Sequence, residues 1–398
     1  MSSGTKTSWR NIFAPAVLAT AFATLIAFTG IGVVDPLLSL IAGAMGASPA
    51  QVEWLFTSYI AVMSLAMLLS GVLATRIGSR KTMLLGLGLV VVFASLSGLA
   101  PNLPVLSVVR AGWGLGNAFF TSTALSIIVG SVSGNFGAAI TLYEAALGLG
   151  IASGPLLGGF LGGYSWRLPF FGTAALMLAA FWWTFFAVRD PGREPPRSAR
   201  HIFEALRHRA VLRHALIGLS YSYAFFTILA YSPLTLKGLT ALTLGYTYFA
   251  WGILVGVSSV FVVNWLRPIL GPVNLLLLDL AGLVAVFVLA GFAPGRTLLD
   301  LIVLSGFFCG IANAVFTSLA MEVSPFIRSI SSGAYNFLRW AGAALAPVLS
   351  GLVGQRFGLN VPFWLAAAIL LAGLIALLRS RDAYDQALAR VYHTVREP

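Results

Sequence analysis

Charged residues are scarce in this sequence. They make up 9% of its 398 residues, whereas 59% are hydrophobic and the mean hydropathy is +0.92. A soluble domain carries about 25% charged residues, so the composition excludes an ordinary soluble or disordered protein and indicates that lipid surrounds most of the chain. Acidic residues are the rarer charged class, 12 against 24 basic ones, and the net charge is +12. Such an excess indicates nucleic-acid binding only where the basic residues share a water-soluble face.

The chain has a single cysteine, Cys309, which excludes an intrachain disulfide, and no Cys/His cluster has the spacing of metal ligands. We therefore predict no metal and no other cofactor. The three lysines lie in no Gly-Lys-Ser/Thr phosphate loop, and the sequence has no His-Glu-x-x-His motif, so we predict no enzyme activity. Four histidines lie in the polar linker, at its edge or in the C-terminal tail, away from any predicted proton path: His201, His208, His214 and His393.

Twelve apolar stretches are long enough to cross a membrane, which takes about 20 residues. The first six are Phe13–Ala42, Val52–Gly71, Thr82–Ala100, Leu103–Val129, Phe136–Gly163 and Leu168–Val188. The second six are Leu212–Leu236, Leu244–Leu266, Val273–Phe292, Leu298–Met321, Ser331–Val353 and Pro362–Leu378.

Basic residues are concentrated on one side of the predicted membrane. With both termini inside the cell, 18 of the 24 basic residues are cytoplasmic, and four are outside: Arg167, Lys237, Arg296 and Arg356. Cytoplasmic segments are enriched in Lys and Arg, so we predict a multi-pass protein of the inner cell membrane with cytoplasmic termini. The basic excess then needs no nucleic-acid partner.

A polar linker, residues 189–211, separates the sixth and seventh spans, and a cytoplasmic tail covers residues 379–398. The later part of the linker mixes apolar residues such as Phe203 and Leu206 with Arg and His, which favours a basic helix lying on the anionic inner leaflet. A solvated linker whose charges only set the topology is an equally good interpretation.

The two sets of six spans repeat each other. Residues 114–125 in the fourth span match residues 310–321 in the tenth at seven of twelve positions. Tyr143, Pro155 and Gly159 recur 192 positions later as Tyr335, Pro347 and Gly351, and Pro169-Phe170 recurs as Pro362-Phe363. The repeat predicts an all-α integral membrane fold of two six-helix bundles, residues 1–188 and 212–378, related by a pseudo-twofold axis along the membrane normal.

Three segments contain closely spaced glycines. Residues 71–81 are Gly-Val-Leu-Ala-Thr-Arg-Ile-Gly-Ser-Arg-Lys, residues 110–116 are Arg-Ala-Gly-Trp-Gly-Leu-Gly, and residues 150–159 are Gly-Ile-Ala-Ser-Gly-Pro-Leu-Leu-Gly-Gly. They resemble the loop motif, the fourth-span motif and the fifth-span antiporter motif of the major facilitator superfamily, specifically of its twelve-helix bacterial drug:proton antiporters. The resemblance covers almost the whole chain.

The resemblance implies that the loop motif latches the two halves together in the outward-facing state. Its residues here are Gly71, Thr75, Arg76, Gly78, Arg80 and Lys81. The family usually has an acidic residue where this chain has Thr75, so we expect a weaker latch. The antiporter motif, by contrast, is expected to seal the halves against ion leak through close packing at small residues, and it comprises Gly150, Gly154, Pro155, Gly158 and Gly159.

Charges inside the bilayer cost a few kcal/mol or more each, so those that remain serve a pathway or a pairing. Asp35 lies seven residues before the outer end of the first span, and Arg110 lies seven residues after the outer start of the fourth. Both are roughly 10 Å below the outer surface at ~1.5 Å per residue, so the two can meet. Glu144 and Arg339 share a depth in the inner half, and Glu144 corresponds to Asn336 in the repeat.

We hypothesise that Asp35 or Glu144 exchanges a proton with the substrate or with an arginine, since desolvation disfavours an ionised carboxylate and a nearby arginine favours it. A permanently ionised, arginine-paired structural carboxylate is the alternative for each. A substrate cavity is predicted from the aromatic and amide residues of the inner spans: Trp113, Asn117, Tyr143, Tyr221, Tyr223, Phe226, Asn313 and Asn336.

The predicted function is secondary active transport, namely proton-coupled export of small lipophilic or amphiphilic compounds by alternating access. Movement of a specific metabolite, sugar or lipid conjugate is the alternative, and a membrane enzyme or channel is a third class. The predicted partners are a small-molecule substrate, protons and the lipid bilayer, and the predicted state is a monomer.

Overall fold

The computed structural model describes residues 14–130, 136–189, 199–236, 238–326 and 328–394. Within these ranges every regular element is a helix, and eleven helices are long and apolar enough to cross a membrane. The remaining spanning helix, Leu103–Gly130, contains Arg110 and Asn117, which lower its apolarity. The predicted all-α membrane fold is confirmed.

Twelve long helices form two halves. The first half contains α1 (Pro15–Gly32), α2 (Trp54–Ile77), α3 (Ser79–Leu99), α4 (Leu103–Gly130), α5 (Phe136–Gly162) and α6 (Leu168–Ala187). The second half contains α7 (Arg209–Phe226), α8 (Ala241–Val257), α9 (Pro272–Ala290), α10 (Gly295–Glu322), α11 (Arg328–Phe357) and α12 (Val361–Arg379). Helices α7 and α8 each continue through one wide π-helical turn into a short α-helix: Thr227–Tyr231 into Ser232–Thr235, and Ser258–Val262 into Val263–Leu270.

The first span is interrupted rather than continuous. Helix α1 ends at Gly32, a 3-10 turn covers Asp35–Leu37, and a second helix covers Leu38–Met45. Pro36 explains the break because proline has no backbone N–H to donate to the carbonyl four residues earlier. The sequence predicts a first span over Phe13–Ala42, and the structure has one candidate span over Pro15–Met45 with this break inside it. The break places Asp35 at a helix end inside the bundle.

Helix packing follows the repeat. Within the first half α1 packs against α5 and α6, α2 packs against α4, and α3 packs against α4 and α6. The second half repeats each of these contacts between the helices six positions later. The two halves meet where α2 packs against α11 and α5 packs against α8, and these two contacts are also equivalent under the repeat.

We call the end of the bundle that carries both termini the inner face and the opposite end the outer face, following the predicted orientation. At the outer face the helix Leu38–Met45 contacts Ser232–Thr235 at the end of the seventh span, and the turn Asp35–Leu37 contacts α8. The structure is therefore closed at the outer face.

The linker contains a helix, Ala199–Arg207, that contacts α2 and α11. Its Ala205 is buried in a small cluster with Val211 and Ala334, and its Phe203 ring lies 6.2 Å from the ring of Phe337. Residues 190–198 lie outside the described part of the chain. Helix α7 begins at Arg209, within the predicted linker. A helix can extend beyond the apolar part of its sequence, so its first residue need not coincide with the first residue of the apolar stretch.

A tail helix, Arg381–Thr394, contacts α9, α10 and α12. The Tyr384 hydroxyl oxygen lies 2.9 Å from Nδ1 of His214 on α7, and Nε2 of His214 lies 2.9 Å from the carbonyl oxygen of Phe316 on α10. Burial raises the pKa of the Tyr384 phenol above its ordinary value, so the hydroxyl stays neutral. His214 is thus buried and hydrogen-bonded at both ring nitrogens, although the sequence places it at the edge of the linker.

Candidate functional site

Arg110 is fully buried on α4. Its guanidinium carbon lies 4.5 Å from the ring centre of Tyr59 on α2 and 4.6 Å from that of Trp113. Its Nη1 donates a hydrogen bond to the carbonyl oxygen of Gly30 on α1, 3.2 Å away. Aromatic faces attract a desolvated cation, so three helices hold the guanidinium through ring faces and one backbone carbonyl.

Asn117 lies two turns further along α4 and is also fully buried. Its Nδ2 donates to the hydroxyl oxygen of Tyr59 at 2.5 Å and approaches the carbonyl oxygen of Ala27 on α1 at 3.4 Å. Tyr59 therefore contacts Arg110 with its ring and Asn117 with its hydroxyl. This arrangement fixes the position of Arg110 from α1, α2 and α4.

Asp35 is fully buried at the break in the first span, and neither carboxylate oxygen has a hydrogen-bond partner. It interacts electrostatically with Arg110. The sequence places these two residues at the same depth, and the structure brings them into one buried region without a direct hydrogen bond. The arginine is therefore held by other groups, which leaves the carboxylate available for other partners.

Glu53, immediately before α2, is a second fully buried carboxylate. Neither of its oxygens has a hydrogen-bond partner, and it interacts electrostatically with Asp35. Its role is not predicted from the sequence, because an acidic residue at a helix N-terminus ordinarily complements the helix dipole. We refer to Asp35, Glu53 and Arg110 together as the carboxylate cluster.

Helix α11 of the second half covers Glu53. A methyl group at Gly351 would lie 3.1 Å from Cγ of Glu53. Three tyrosines of the second half interact electrostatically with Glu53: Tyr223, Tyr231 and Tyr248. Glu53 therefore lies at the contact between the two halves, near the outer face.

The alignment of the first half with the second identifies the position of Glu53 from the sequence. Gly351 corresponds to Gly159, and in the same register Glu53 corresponds to Gly245 on α8. The structure pairs Gly159 with Gly245 just as it pairs Gly351 with Glu53. These two contacts between the halves are equivalent under the repeat, and one of them contains the carboxylate of Glu53.

Helix α5 uses opposite faces for its two neighbours. Gly150, Gly154 and Gly158 face α1, where a methyl group at any of them would lie 2.6 Å or less from a backbone carbonyl oxygen. Gly159 faces α8, and a methyl group there would lie 2.5 Å from the carbonyl oxygen of Ala241. Pro155 lies inside the helix, where its ring packs against α1. The motif therefore holds α1 on one side and the second half on the other.

Arg80 of the loop motif binds the end of α6. Its Nε donates to the carbonyl oxygen of Val188 at 2.6 Å, and its Nη2 donates to that of Phe185 at 2.7 Å. The guanidinium carbon also lies 5.4 Å from the Phe185 ring centre. Gly78 makes the turn before α3 with φ of 91°, a left-handed conformation that favours glycine. Arg80 thus joins α3 to α6 within the first half.

The other members of the loop motif make fewer contacts. The Thr75 hydroxyl donates to the carbonyl oxygen of Val72 in its own helix at 2.8 Å. Arg76 and Lys81 are exposed, and the surroundings of Gly71 lie outside the described part of the chain. The Thr75 hydroxyl thus bonds within its own helix, and the side chain carries no charge.

Comparison with known proteins decides the family. A sequence profile of the Major Facilitator Superfamily matches residues 20–347. The chain belongs to the Major Facilitator Superfamily. It is 41% identical over 373 residues to the multidrug efflux protein YfmO of Bacillus subtilis (strain 168), an alignment that covers 92% of this chain and 93% of that protein.

Solved structures of the superfamily share the fold at low sequence identity. The crystal structure of the D-xylose-proton symporter superposes with a TM-score of 0.75 at 14% identity, covering 91% of this chain and 96% of that one. A bacterial homolog of the human lysosomal transporter Spinster, in an inward-facing and unoccupied conformation, gives a TM-score of 0.71 at 16% identity and covers 96% and 98% of the two chains. This superfamily member is therefore a membrane transporter rather than an enzyme.

Of the second predicted pair of charges, the described side chains include only that of Arg339. Arg339 on α11 is half-buried, its guanidinium carbon lies 5.4 Å from the ring centre of Trp340, and it interacts electrostatically with Tyr221. The Glu144 side chain lies outside the described residues, although α5 passes through its position. The Glu144–Arg339 pairing stays a prediction.

Several predicted cavity residues are packed within one half. The Trp113 ring lies between Tyr59 and Phe170, 6.3 Å from each ring centre. Tyr221 donates to the carbonyl oxygen of Cys309 at 2.7 Å and stacks on Phe316. In this outward-closed structure both rings contribute to helix packing, and their role as cavity lining stays a prediction.

Some of the remaining predicted cavity residues lie closer to the contact between the halves, and one has a buried polar atom without a hydrogen-bond partner. Tyr223 interacts electrostatically with Glu53, and Phe226 packs against Trp340 at 5.9 Å between ring centres. The Asn313 Oδ1 is buried without a hydrogen-bond partner. Tyr143 is buried on α5 and Asn336 is half-buried on α11. Among the described residues no group of three His, Cys, Asp or Glu side chains is placed to hold a metal ion.

Proposed function

We propose that this chain is a proton-coupled antiporter that exports small lipophilic or amphiphilic compounds by alternating access. The observation that carries the proposal is the carboxylate cluster, in which two unpartnered carboxylates and one arginine are buried beside the contact between the halves. Similarity to a multidrug efflux protein supports export and the class of substrate.

The charge balance of the cluster requires a proton. If all three groups were ionised, the cluster would carry one uncompensated negative charge away from water, which is costly. One proton on Asp35 or Glu53 makes the cluster neutral. Closure of the outer face therefore favours the protonated cluster, and opening, which admits water, lets the carboxylates exchange protons with the outside.

This linkage couples proton movement to alternating access. When the outer face is open, Glu53 and Asp35 take up a proton from outside. Closure then buries the neutral cluster as α11 covers Glu53 and the outer end of the first span meets α7 and α8. Release toward the cytoplasm follows when an incoming substrate or Arg110 favours the ionised carboxylate.

We further propose the setting in which this cycle runs. The distribution of basic residues supports an inner-membrane protein with both termini in the cytoplasm. The two halves that move relative to each other belong to one chain, which supports a monomeric transporter. The alternative, transport of one specific metabolite, is distinguished from export of lipophilic compounds by the experiment below.

The test is transport by the purified protein in liposomes that contain the pH-sensitive dye pyranine. Ethidium, a planar aromatic cation, and Nile red, a neutral lipophile, serve as probes in parallel with a panel of polar metabolites. We expect addition of ethidium or Nile red to move protons in the opposite direction to the probe. Asp35→Asn and Glu53→Gln are expected to abolish this proton movement, and Glu144→Gln tests the remaining carboxylate.

Asp279 provides the matched control. It is a buried carboxylate with two unpartnered oxygens, but it lies on α9, away from the contact between the halves. Asp279→Asn should keep proton-coupled transport if coupling belongs to the carboxylate cluster. Transport that is independent of a pH gradient in the wild-type protein would defeat the antiport proposal, and competition by one polar solute alone would favour the metabolite alternative.

A further inference from the structure

A groove with a volume of about 530 Å³ lies between α7 and α12 toward the inner face. Its apolar walls come from Leu212 and Leu216 on α7 and from Ile369, Ala372 and Ala376 on α12. Leu212 is 38% exposed and Leu216 is 49% exposed, so the protein's own side chains leave this surface open. In the proposed orientation this surface lies toward the inner leaflet.

Two arginines form the inner end of the groove. Arg209 and Arg213 are one helical turn apart in the first turns of α7, and both line the groove. Arg209 is exposed and Arg213 is half-buried. Within the described part of the chain neither guanidinium forms an ion pair. Arg213 interacts electrostatically with the Tyr384 phenol of the tail helix. Among the described residues, two guanidinium groups without a carboxylate partner thus lie at the inner end of the apolar groove.

The equivalent place in the first half is filled by protein. In the register set by Pro169 and Pro362, Ala376 corresponds to Trp183 on α6. The Trp183 ring lies 5.5 Å from the ring of Phe22 on α1 and so bridges α1 and α6. Trp183 thus occupies the position in the first half at which the second half has the small Ala376, which leaves the groove between α7 and α12 open.

We propose that this groove binds one anionic phospholipid of the inner leaflet. Arg209 and Arg213 bind the phosphate, since guanidinium groups match phosphate oxygens in charge and geometry, and an acyl chain lies against the apolar walls. Basic pockets between spanning helices on the cytoplasmic side bind anionic headgroups in this way. The proposal rests on the proposed orientation of the inner face, and it is independent of the substrate and of proton coupling.

The bound lipid joins α7 to α12 at the inner face. Helix α7 leads into Tyr223 and Tyr231, which interact electrostatically with Glu53 across the contact between the halves. A lipid bound at the inner end of α7 therefore stabilises the second half, which contacts the carboxylate cluster when the outer face is closed. We expect the anionic lipid to raise the thermal stability of the transporter.

The experiment compares phosphatidylglycerol with phosphatidylcholine of the same acyl chains, added to delipidated full-length protein in detergent. Native mass spectrometry counts bound lipids, and thermal unfolding measures stabilisation. The wild-type protein should retain one phosphatidylglycerol in preference to phosphatidylcholine. The double variant Arg209→Gln/Arg213→Gln should lose this preference, with an affinity for phosphatidylglycerol lower by about 30-fold. Arg379→Gln, an exposed arginine at the end of α12 outside the groove, should leave it unchanged.

Ala376→Trp tests the groove without changing charge. It restores the residue type that the first half has at the equivalent position, and it should displace both lipids while the protein still folds. Equal retention of the two lipids by the wild type would overturn the proposal, as would an unchanged preference in the double variant. Inorganic phosphate that stabilises the wild type as much as phosphatidylglycerol would overturn the lipid assignment. Loss of transport in Ala376→Trp with lipid retention unchanged would make the groove a substrate path instead.

Discussion

Gly159 on α5 and Gly245 on α8 bring the backbones of the two halves into direct contact. A methyl group at Gly245 would lie 2.7 Å from the carbonyl oxygen of Pro155 and 3.2 Å from Cα of Gly159. No side chain separates the helices at this point. In the proposed alternating-access cycle this contact near the outer face breaks when that face opens, so its strength contributes to the balance between the two conformations.

Gly245→Ala should therefore shift the protein toward the outward-open conformation. Overpacking a close contact costs ~1–3 kcal/mol, which corresponds to a shift of about 5- to 150-fold in the equilibrium. Spin labels at Gln51→Cys and Gln355→Cys, both exposed at the outer face, would report the distance between the halves. Gly256→Ala on the same helix is the control, because a methyl group there meets nothing within 4 Å. Equal distance distributions in the two variants would contradict the prediction.

The sequence predicts this contact only in part. The four-residue spacing of Gly150, Gly154 and Gly158 predicts close packing, but it does not say against which helix, because spacing along a helix gives the face and not the neighbour. The repeat supplies the missing information. Once Gly159 and Gly351 are matched, the two contacts between the halves must be equivalent, and their partners on α8 and α2 follow.

Arg110→Lys should strongly reduce transport while the protein still folds. Lysine keeps the charge but loses the planar group that lies against the rings of Tyr59 and Trp113 and donates to Gly30. Without these contacts the ammonium group is free to move toward Asp35 and to hold it permanently ionised. We expect initial rates of ethidium efflux to fall at least about tenfold, equivalent to ~1.4 kcal/mol, with a gel-filtration profile like that of the wild type.

Arg167 supplies the comparison for that variant. It too lies over a tryptophan ring, with 4.4 Å between its guanidinium carbon and the Trp166 ring centre, and it donates to the carbonyl oxygen of Gly98 at 2.8 Å. It lies near the outer surface, away from the carboxylate cluster. Arg167→Lys should transport like the wild type. Equal transport by the two lysine variants would mean that Arg110 serves packing alone.

Buried charge is predictable from the sequence where a residue lies deep within an apolar run, as Asp35 and Arg110 do. Their partners are not, because depth along two helices leaves the rotation of each helix undetermined. Arg110 is held by two rings and a carbonyl, and Asp35 interacts with it only electrostatically. Glu53, by contrast, is a buried charge that the sequence does not predict. It lies at the edge of an apolar stretch, and only the packing of α11 over the start of α2 buries it.

Tyr384→Phe should destabilise the second half without altering the contact between the halves. The change removes the hydroxyl beside Nδ1 of His214 and leaves a buried ring nitrogen without a partner, which costs ~1–3 kcal/mol. A lower midpoint of thermal unfolding is the expected result. Tyr246→Phe, at a tyrosine that is 58% exposed, should unfold like the wild type. Identical midpoints for the two variants would show that the tail helix is not held by this hydrogen bond.

The pH dependence of the Tyr384 contribution follows from its pKa. The folded-state pKa of the phenol lies above the unfolded value of ~10. A group with a raised folded-state pKa contributes stability below its unfolded pKa and loses it as pH rises beyond that value. From neutral pH to about pH 10 the difference in stability between the wild type and Tyr384→Phe should therefore be constant, and it should shrink above that pH. A difference that already declines at neutral pH would contradict this sign.

Arg80→Gln separates two roles of the loop motif. In this structure Arg80 donates two hydrogen bonds to the end of α6, so its loss should lower the stability of the first half by ~1–3 kcal/mol. Lys81→Gln, at an exposed neighbour, should leave stability unchanged. If Arg80 also latches the halves when the outer face is open, its loss should additionally shift the Gln51–Gln355 label distance toward the closed value. A loss of stability with an unchanged distance distribution would restrict Arg80 to joining α3 and α6, and unchanged stability would remove even that role.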